Sequence, residues 1–427
     1  MAGTTTSSGE CLHMPEEAVV EIMSRLPPES LVRSKRVSKS WYALIKSLIV
    51  DSAFVAKHLH NTKNNTSSVA SFIYQSPCPC EDVDDQELVR HSLSCPFIAP
   101  KVFHLSHLDD GEIDLIHHVS EDLPRIPCER DVTDRLENHC NGVVVLTRFE
   151  SGTSRGCIVL CNPAIMEFRI LPDSVLFDDF GIIGAGFGYD SRANDYKIVR
   201  LGVDWLSNNS KAVVYSLATN LWKEIKFDWS EMNFDLDIND IVINSTGVFC
   251  KGVIYWHLCI HKVLSVDELL SSDEKLHDKL LSFDVSDEIF NGLPLPDNLQ
   301  SVEPTWDPKW NTLSVWNESL ALFRYSSERE GEILVEVWVM MDDCLVGSWI
   351  KQLVVGPLVG IQAALTFSCK GDELLFQGED RRLVSYNVRR QKLRNLSSHG
   401  VGKKHGVAEE CVFPYVKSLN SVKGRSQ

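Results

Sequence analysis

The chain has 427 residues, 44% of them hydrophobic and 24% charged, which is enough material for one large or two unequal domains with filled cores and excludes wholesale disorder. Its 42 Lys plus Arg against 59 Asp plus Glu leave a formal charge of −17, which repels phosphate backbones and anionic lipid. A basic protein is the better electrostatic partner, although an acidic solvated surface also serves solubility.

Residues Met1 to Glu10 are polar and small, without the basic start and apolar run of a secretory signal. A cytoplasmic, or also nuclear, location is expected, and residues 1–10 are expected to be disordered. The 13 Cys are odd in number and scattered, so reduced thiols are expected rather than a disulfide framework. From Met14 to about His60 apolar residues recur at helical spacing: Val19, Ile22 and Leu26, then Leu31, then Val37, Trp41, Leu44, Ile45 and Leu48. Pro15 suits a first helical turn and precedes Glu16 and Glu17, Pro27 and Pro28 stop that helix after Leu26, and Ser30 is expected to cap the next. A bundle over residues 11–60 buries too little surface to be stable alone and should lean on a partner. The polar stretch 61–68 reads as a linker.

Residues 69–419 switch to short runs of Val, Ile, Leu, Phe, Tyr and Trp separated by turn residues, the pattern of an all-β domain. One loose unit recurs about six times: an apolar strand, a turn rich in Asp, Asn or Ser, and a strand with an aromatic or Leu. The turns fall near Asp109-Asp110, Ala164, Thr219-Asn220, Ser286-Asp287, Asp342-Asp343 and Arg389-Arg390. That spacing predicts a six-bladed kelch-like β-propeller, with a β-sandwich as the competing fold. Whether the segment Glu410 to Leu419 pairs with the first blade is left open by the pattern. Residues 420–427 are expected to be a disordered tail. Leu353 to Phe367, the most apolar stretch, is too short and too rich in Gly and Pro to span a membrane.

Motifs for chemistry are sparse. There is no P-loop, no His-Glu-x-x-His pair and no Gly-x-Ser-x-Gly elbow. In Gly184-Ala185-Gly186-Phe187-Gly188 the third glycine comes too early for a dinucleotide loop, and close strand or turn geometry is the better reading. Cys78-Pro79-Cys80 with His91 and Cys95, and the pair His117-His118, match no structural zinc spacing. No catalytic residue, cofactor or metal is expected, and a propeller enzyme or glycan-binding protein is the reading from another functional class. Acid is concentrated in Glu81 to Asp122, Asp228 to Asp240 and Asp267 to Glu288, either as solvated loops or as a surface that steers a basic target.

The run Met14-Pro15-Glu16-Glu17 through Arg25-Leu26-Pro27, then Ser30-Leu31-Val32-Arg33, Val37-Ser38-Lys39-Ser40-Trp41, and Phe54 with His58-Leu59, resembles the plant F-box. Asn141-Gly142, Cys161-Asn162-Pro163, Gly186-Phe187-Gly188-Tyr189-Asp190, Asn194-Asp195-Tyr196-Lys197 and Gly252 with Tyr255-Trp256 resemble the F-box-associated domain. Val335 to Met340, Gly347-Ser348-Trp349 and Lys351 are similar to the S-locus F-box group of self-incompatible plants. The resemblance implies the substrate-recognition subunit of a Skp-cullin-F-box ubiquitin ligase: a Skp-type adaptor held by the F-box, cullin and RING subunits reached through it, and a target, in pollen a non-self style S-ribonuclease, held by the β domain. Adaptor contact is carried onto Met14, Pro15, Ile22, Leu26, Pro27, Leu31, Val37 and Trp41, some of which must serve the bundle's own core. Two departures stand out: Met14 replaces the usual Leu, and Pro28-Glu29 stands where relatives often carry a hydrophobic and a basic residue.

Overall fold

The computed structural model describes residues 14–64, 69–75, 100–106, 121–124, 132–150, 156–173, 181–204, 207, 209–232, 241–243, 246–260, 278–299, 312–326, 331–341, 348–379, 383–396 and 411–423. Four short helices come first: α1 (Glu16–Met23), α2 (Pro28–Ser34), α3 (Lys39–Leu48) and α4 (Ser52–Lys63). Helix α1 ends at Met23, three residues before the stop expected after Leu26, with Arg25 N to Ile22 O (3.0 Å) and Leu26 N to Met23 O (3.3 Å) closing tighter turns, and Pro28 starts α2 in its first turn, where its missing N–H costs nothing. Ser30 therefore lies inside α2 and does not cap it. Ser38 caps α3 by accepting from Trp41 N (3.1 Å), and Asp51 caps α4 by accepting from Ala53 N (2.9 Å). Helix α4 continues to Lys63, past the expected end of the bundle at residue 60.

Six antiparallel sheets follow. Blade I contains β1 (Val69–Gln75), β2 (Lys101–Ser106) and β3 (Glu121–Asp122), and blade II contains β4 (Val132–Cys140), β5 (Val143–Glu150), β6 (Gly156–Asn162) and β7 (Glu167–Ile170). Blade III is β8 (Gly181–Asp190), β9 (Asp195–Asp204), β10 (Asn209–Ser216) and β11 (Leu221–Ile225). Blade IV has an inner strand broken in two, β12 (Ile241–Ile243) and β13 (Val248–Cys250), then β14 (Val253–Ile260), β15 (Lys279–Asp284) and β16 (Ile289–Pro294). Blade V is β17 (Thr312–Trp316), β18 (Ser319–Ser326), β19 (Glu332–Met340) and β20 (Trp349–Val359); blade VI is β21 (Ile361–Phe367), β22 (Glu373–Gly378), β23 (Leu383–Asn387) and β24 (Lys392–Leu396). The last strand, β25 (Cys411–Pro414), returns to blade I as its inner strand, pairing Cys411 with Gln75 and Pro414 with Phe72.

The inner strands touch in a ring, β25 to β4 to β8 to β13 to β17 to β21 and back to β25. This radial order is a six-bladed propeller and excludes the sandwich. Each pair of neighbouring blades shares one apolar core, from Ile73 and Leu146 between blades I and II round to Phe72 and Leu375 between blades VI and I. The unit read in the sequence is the hairpin between the third and fourth strands of each blade. In blades III, IV and VI it closes identically: Asn220 N to Ser216 O, Glu288 N to Asp284 O and Gln391 N to Asn387 O, at 2.9, 2.8 and 2.8 Å. Asn220, Glu288 and Gln391 all take positive φ there, and Met166 does so in blade II. The turns at Asp109-Asp110 and Asp342-Asp343 lie outside the described residues, although the strands flanking them pair as expected.

Candidate functional site

The eight residues assigned to adaptor contact fall into three groups. Met14, Pro15, Ile22, Pro27 and Val37 are exposed, Met14 by 53%, Ile22 by 49% and Val37 by 67%. Leu26 and Trp41 are half-buried against the bundle core and keep part of their surface open. Leu31 has no accessible surface and packs with Met23, Ile45, Leu48 and Phe54, so it belongs to the core. Two further exposed side chains, Tyr42 and Val50, were not singled out from the sequence. Helical spacing favours the inward neighbours of both, and only the packing of α3 shows that they point out. Five of the fifteen large apolar side chains left exposed among the described residues, Met14, Ile22, Val37, Tyr42 and Val50, thus sit on this one small bundle. Exposed apolar side chains in that number on so short a bundle leave surface open to a protein partner.

Polar contacts hold the bundle together. Glu21 accepts from Arg25 just beyond α1 and from Lys57 on α4, pairs that are solvent-exposed and screened. Inside, His58 Nε2 meets the Leu26 carbonyl at 2.8 Å, and Asn61 Nδ2 donates to Ser24 O at 3.1 Å, which ties α4 to the end of α1. Burial pushes the His58 imidazole below its ordinary pKa, so it is neutral in this site.

The bundle sits on blade II through the chain that follows β25. Asn162 is fully buried, and its amide donates to Ser418 O (3.1 Å) and Asn420 O (2.9 Å) while its carbonyl accepts from Ala164 N (3.0 Å). Asn141 and Gly142 form a tight hairpin turn with φ of 49° and 81°. A Cβ on Gly142 would lie 2.4 Å from Val416 O, so only glycine admits the returning chain. Asn420 Nδ2 donates to Asn141 O at 2.9 Å, Lys63 Nζ donates to Asn141 Oδ1 at 3.0 Å, and Lys417 pairs with Glu29 of α2. Leu419 enters the helical core itself, and Val422 is buried between blades II and III. Residues 420–423 are therefore part of the packed body and not a tail: Val422 has no accessible surface, and Ser421 Oγ donates to Glu167 Oε2 at 2.7 Å.

Antiparallel strands alternate in direction, so Asn141-Gly142 and residues 163–166 leave blade II on one face, the face that carries the bundle. In each blade the second strand ends, and the third begins, at the opposite face. The glycines of β8 serve the ring between the two faces. A Cβ on Gly186 would meet Ile254 Cγ2 and Trp256 Cζ2 at 2.7 Å, and one on Gly188 would meet Phe249 Cδ2 at 2.7 Å. Their absence lets blade IV approach until Gly247 N donates to Ala185 O (2.7 Å) and Trp256 Nε1 to the same carbonyl (3.1 Å). On the bundle-bearing face Asp190 accepts from Ala193 N, Ser286 Oγ and Lys197 Nζ, at 3.0, 2.7 and 3.0 Å. Lys197 also reaches Glu288, and Arg192 reaches Asp287, so blades III and IV are clamped by charge. Burial opposes ionisation of Asp190, but these donors hold it down to about 2.

Among the described residues no group of three or more His, Cys, Asp or Glu is placed to hold a metal. Cys78, Cys80, His91, Cys95, His117 and His118 lie outside them, as do most of the first two acidic clusters and residues 267–277 of the third. Burial raises the Cys140, Cys161 and Cys259 thiols to about 12, which leaves them inert as nucleophiles.

Residues 11–52 match the F-box domain, and residues 102–422 match the F-box associated beta propeller domain. The chain belongs to the plant F-box proteins of this propeller family. It is similar to two putative F-box proteins of Arabidopsis thaliana, one 26% identical and covering 75% of each chain, the other 24% identical and covering 82% of this chain and 80% of the relative. An oligogalacturonate lyase from Vibrio parahaemolyticus, 9% identical with a TM-score of 0.35 over 61% of this chain and 75% of that one, is too distant to carry an argument.

An F-box implies docking to a Skp-type adaptor, and with it the work of a substrate receptor in a Skp-cullin-F-box complex. In this F-box protein Met14, Ile22, Val37, Tyr42 and Val50 stay exposed on the bundle once it is seated on blade II. The departure at Pro28-Glu29 has a local explanation: Pro28 is buried and Glu29 is engaged by Lys417, so this pair faces the propeller. The segment that resembles the S-locus group is likewise structural. Glu336 accepts from Trp338 Nε1 and from Lys351 Nζ, both at 2.9 Å, and Trp338 and Trp349 pack into the core between blades IV and V.

Proposed function

We propose that this F-box protein is the receptor that presents a basic, secreted-type, non-self style ribonuclease for ubiquitination in pollen, working in the cytoplasm, or also in the nucleus. The observation that supports receptor work is the separation of ends. Five exposed apolar side chains lie on a bundle at one face of the propeller, and the second and third strands of each blade end and begin at the other face. An adaptor and a cargo can then be held at once, and proximity alone raises the effective concentration of ubiquitin-loaded enzyme at the cargo. The ribonuclease assignment is supported by the resemblance of Val335 to Met340, Gly347 to Trp349 and Lys351 to the S-locus group, and by the formal charge of −17, which complements a basic target.

Affinity purification from pollen and from leaf, with the proteasome blocked, tests this reading. The expected result is adaptor, cullin and a secreted-type ribonuclease together from pollen. Adaptor and cullin with another protein in place of the ribonuclease would overturn the cargo assignment and leave a receptor for an unrelated target.

A further inference from the structure

We infer that the F-box of this protein is not a self-sufficient module: Leu419 completes its core, so a stable adaptor-docking surface exists only once the propeller has closed. The inference rests on the receptor reading for its consequence and on the packing for its cause. Six buried apolar side chains make up the bundle core among the described residues, and five of them, Met23, Leu31, Ile45, Leu48 and Phe54, come from the helices. The sixth is Leu419, only 2% exposed, and Ile165 of blade II packs on the same cluster. A helical bundle of this size is marginal by itself, so one missing core residue in six is decisive.

Leu419 cannot reach that position independently of closure. Tyr415 N donates to Ser71 O (2.8 Å), which extends the pairing of β25 with β1, and only residues 416–418 separate that bond from Leu419. Lys417 and Ser418 before Leu419 are gripped by Glu29 and Asn162, and Asn420 after it by Asn141, so the strand that closes the ring and the side chain that fills the bundle move as one piece. The helices lie at the start of the chain and their last core residue near its end. A chain interrupted before residue 415, or a propeller that has not closed, therefore carries an F-box with a hole in its core. Such a chain competes poorly for the adaptor, and ligase subunits are not occupied by a receptor that has no finished cargo domain.

Hydrogen exchange on the full-length protein, read by mass spectrometry together with adaptor affinity, tests this for Leu419→Asp and Leu419→Met. With Leu419→Asp, amides of α1 to α4 should exchange roughly thirtyfold faster or more, as expected for loss of a buried leucine contact. Amides of blades III to V should keep their protection, adaptor affinity should fall at least about tenfold in step with the lost core, and Leu419→Met should restore both. If Leu419→Asp loosens the propeller as well, Leu419→Ala supplies the milder comparison. Unchanged protection of α1 to α4 in Leu419→Asp, with the blades intact, would overturn the inference. Lost protection in a protein whose wild type binds no adaptor would uphold the shared core and sink the receptor reading instead.

Discussion

The helical bundle leaves Met14, Ile22, Val37, Tyr42 and Val50 in solvent, whereas the propeller buries its apolar strand faces between blades and matches its buried charges in pairs such as Arg148 with Asp134 and Arg200 with Glu137. The bundle borrows a core residue from the C-terminal segment, and the propeller uses that segment to complete its first blade. One region is thus unfinished by design at its outer surface, and the other is closed on itself. The contrast places partner binding on the bundle's surface and rigidity in the blades.

Breaking the closed region should have the largest effect. Trp256 is fully buried between blades III and IV, and Trp256→Ala should cost about 3–5 kcal/mol, seen as a lowered denaturant midpoint. The double substitution Ile22→Asp with Val37→Asp attacks only the open region. Adaptor affinity should fall roughly a hundredfold while the melting temperature stays unchanged, as for removal of exposed interface anchors. At the seam, Asn162→Ala strands the Ser418 and Asn420 carbonyls and should cost about 1–3 kcal/mol, with faster exchange in residues 415–423 as its local signature.

Acid should separate the regions by degree. Burial lowers His58 below its ordinary value and His139, stacked on Phe413 of the closing strand, to about 4. Unfolded imidazoles take up a proton below about 6.5, and burial makes these two resist it while folded. Stability is therefore full above about pH 6.5 and falls as the pH drops toward 4. Asp190 follows the same sign in a lower window: its contribution is complete above its ordinary value of 3.8 and is lost as the pH falls through about 2. Exchange measured at pH 7.5, 6 and 5 should show α4 and blade I loosening while the clamp between blades III and IV holds. The smallest effect is expected at Glu21, whose partners are exposed, and Glu21→Gln should leave thermal unfolding within error.

Much of this was legible in the sequence because it depends on local chemistry. Pro28 at the start of α2 and the turns near Ala164, Asn220, Asp287 and Arg390 act over a few residues, and the strands around those turns pair as read, whereas the cap expected at Ser30 falls inside a helix and the one at Ser38 was not read. The role of the glycines in β8 followed from their lack of side chains, although the partners they admit, Ile254, Trp256 and Phe249, come from the next blade. What depends on distant segments was not legible. No spacing near Leu31 says that it is core while Ile22 is surface, and nothing near residue 419 points to a cluster near residue 31. The eventual partners of Asn141-Gly142 and Asn162 were hidden for the same reason: both motifs stood out in the sequence, but the chain they hold returns from the far end of the molecule.

The most direct test of the central claim is calorimetric titration of the folded, full-length protein with a Skp-type adaptor from its own plant, beside the Ile22→Asp, Val37→Asp variant. Saturable one-to-one binding by the wild type, lost in the variant at unchanged melting temperature, is the predicted result. Equal binding by both proteins, or none by a wild type whose unfolding is cooperative, would contradict the account.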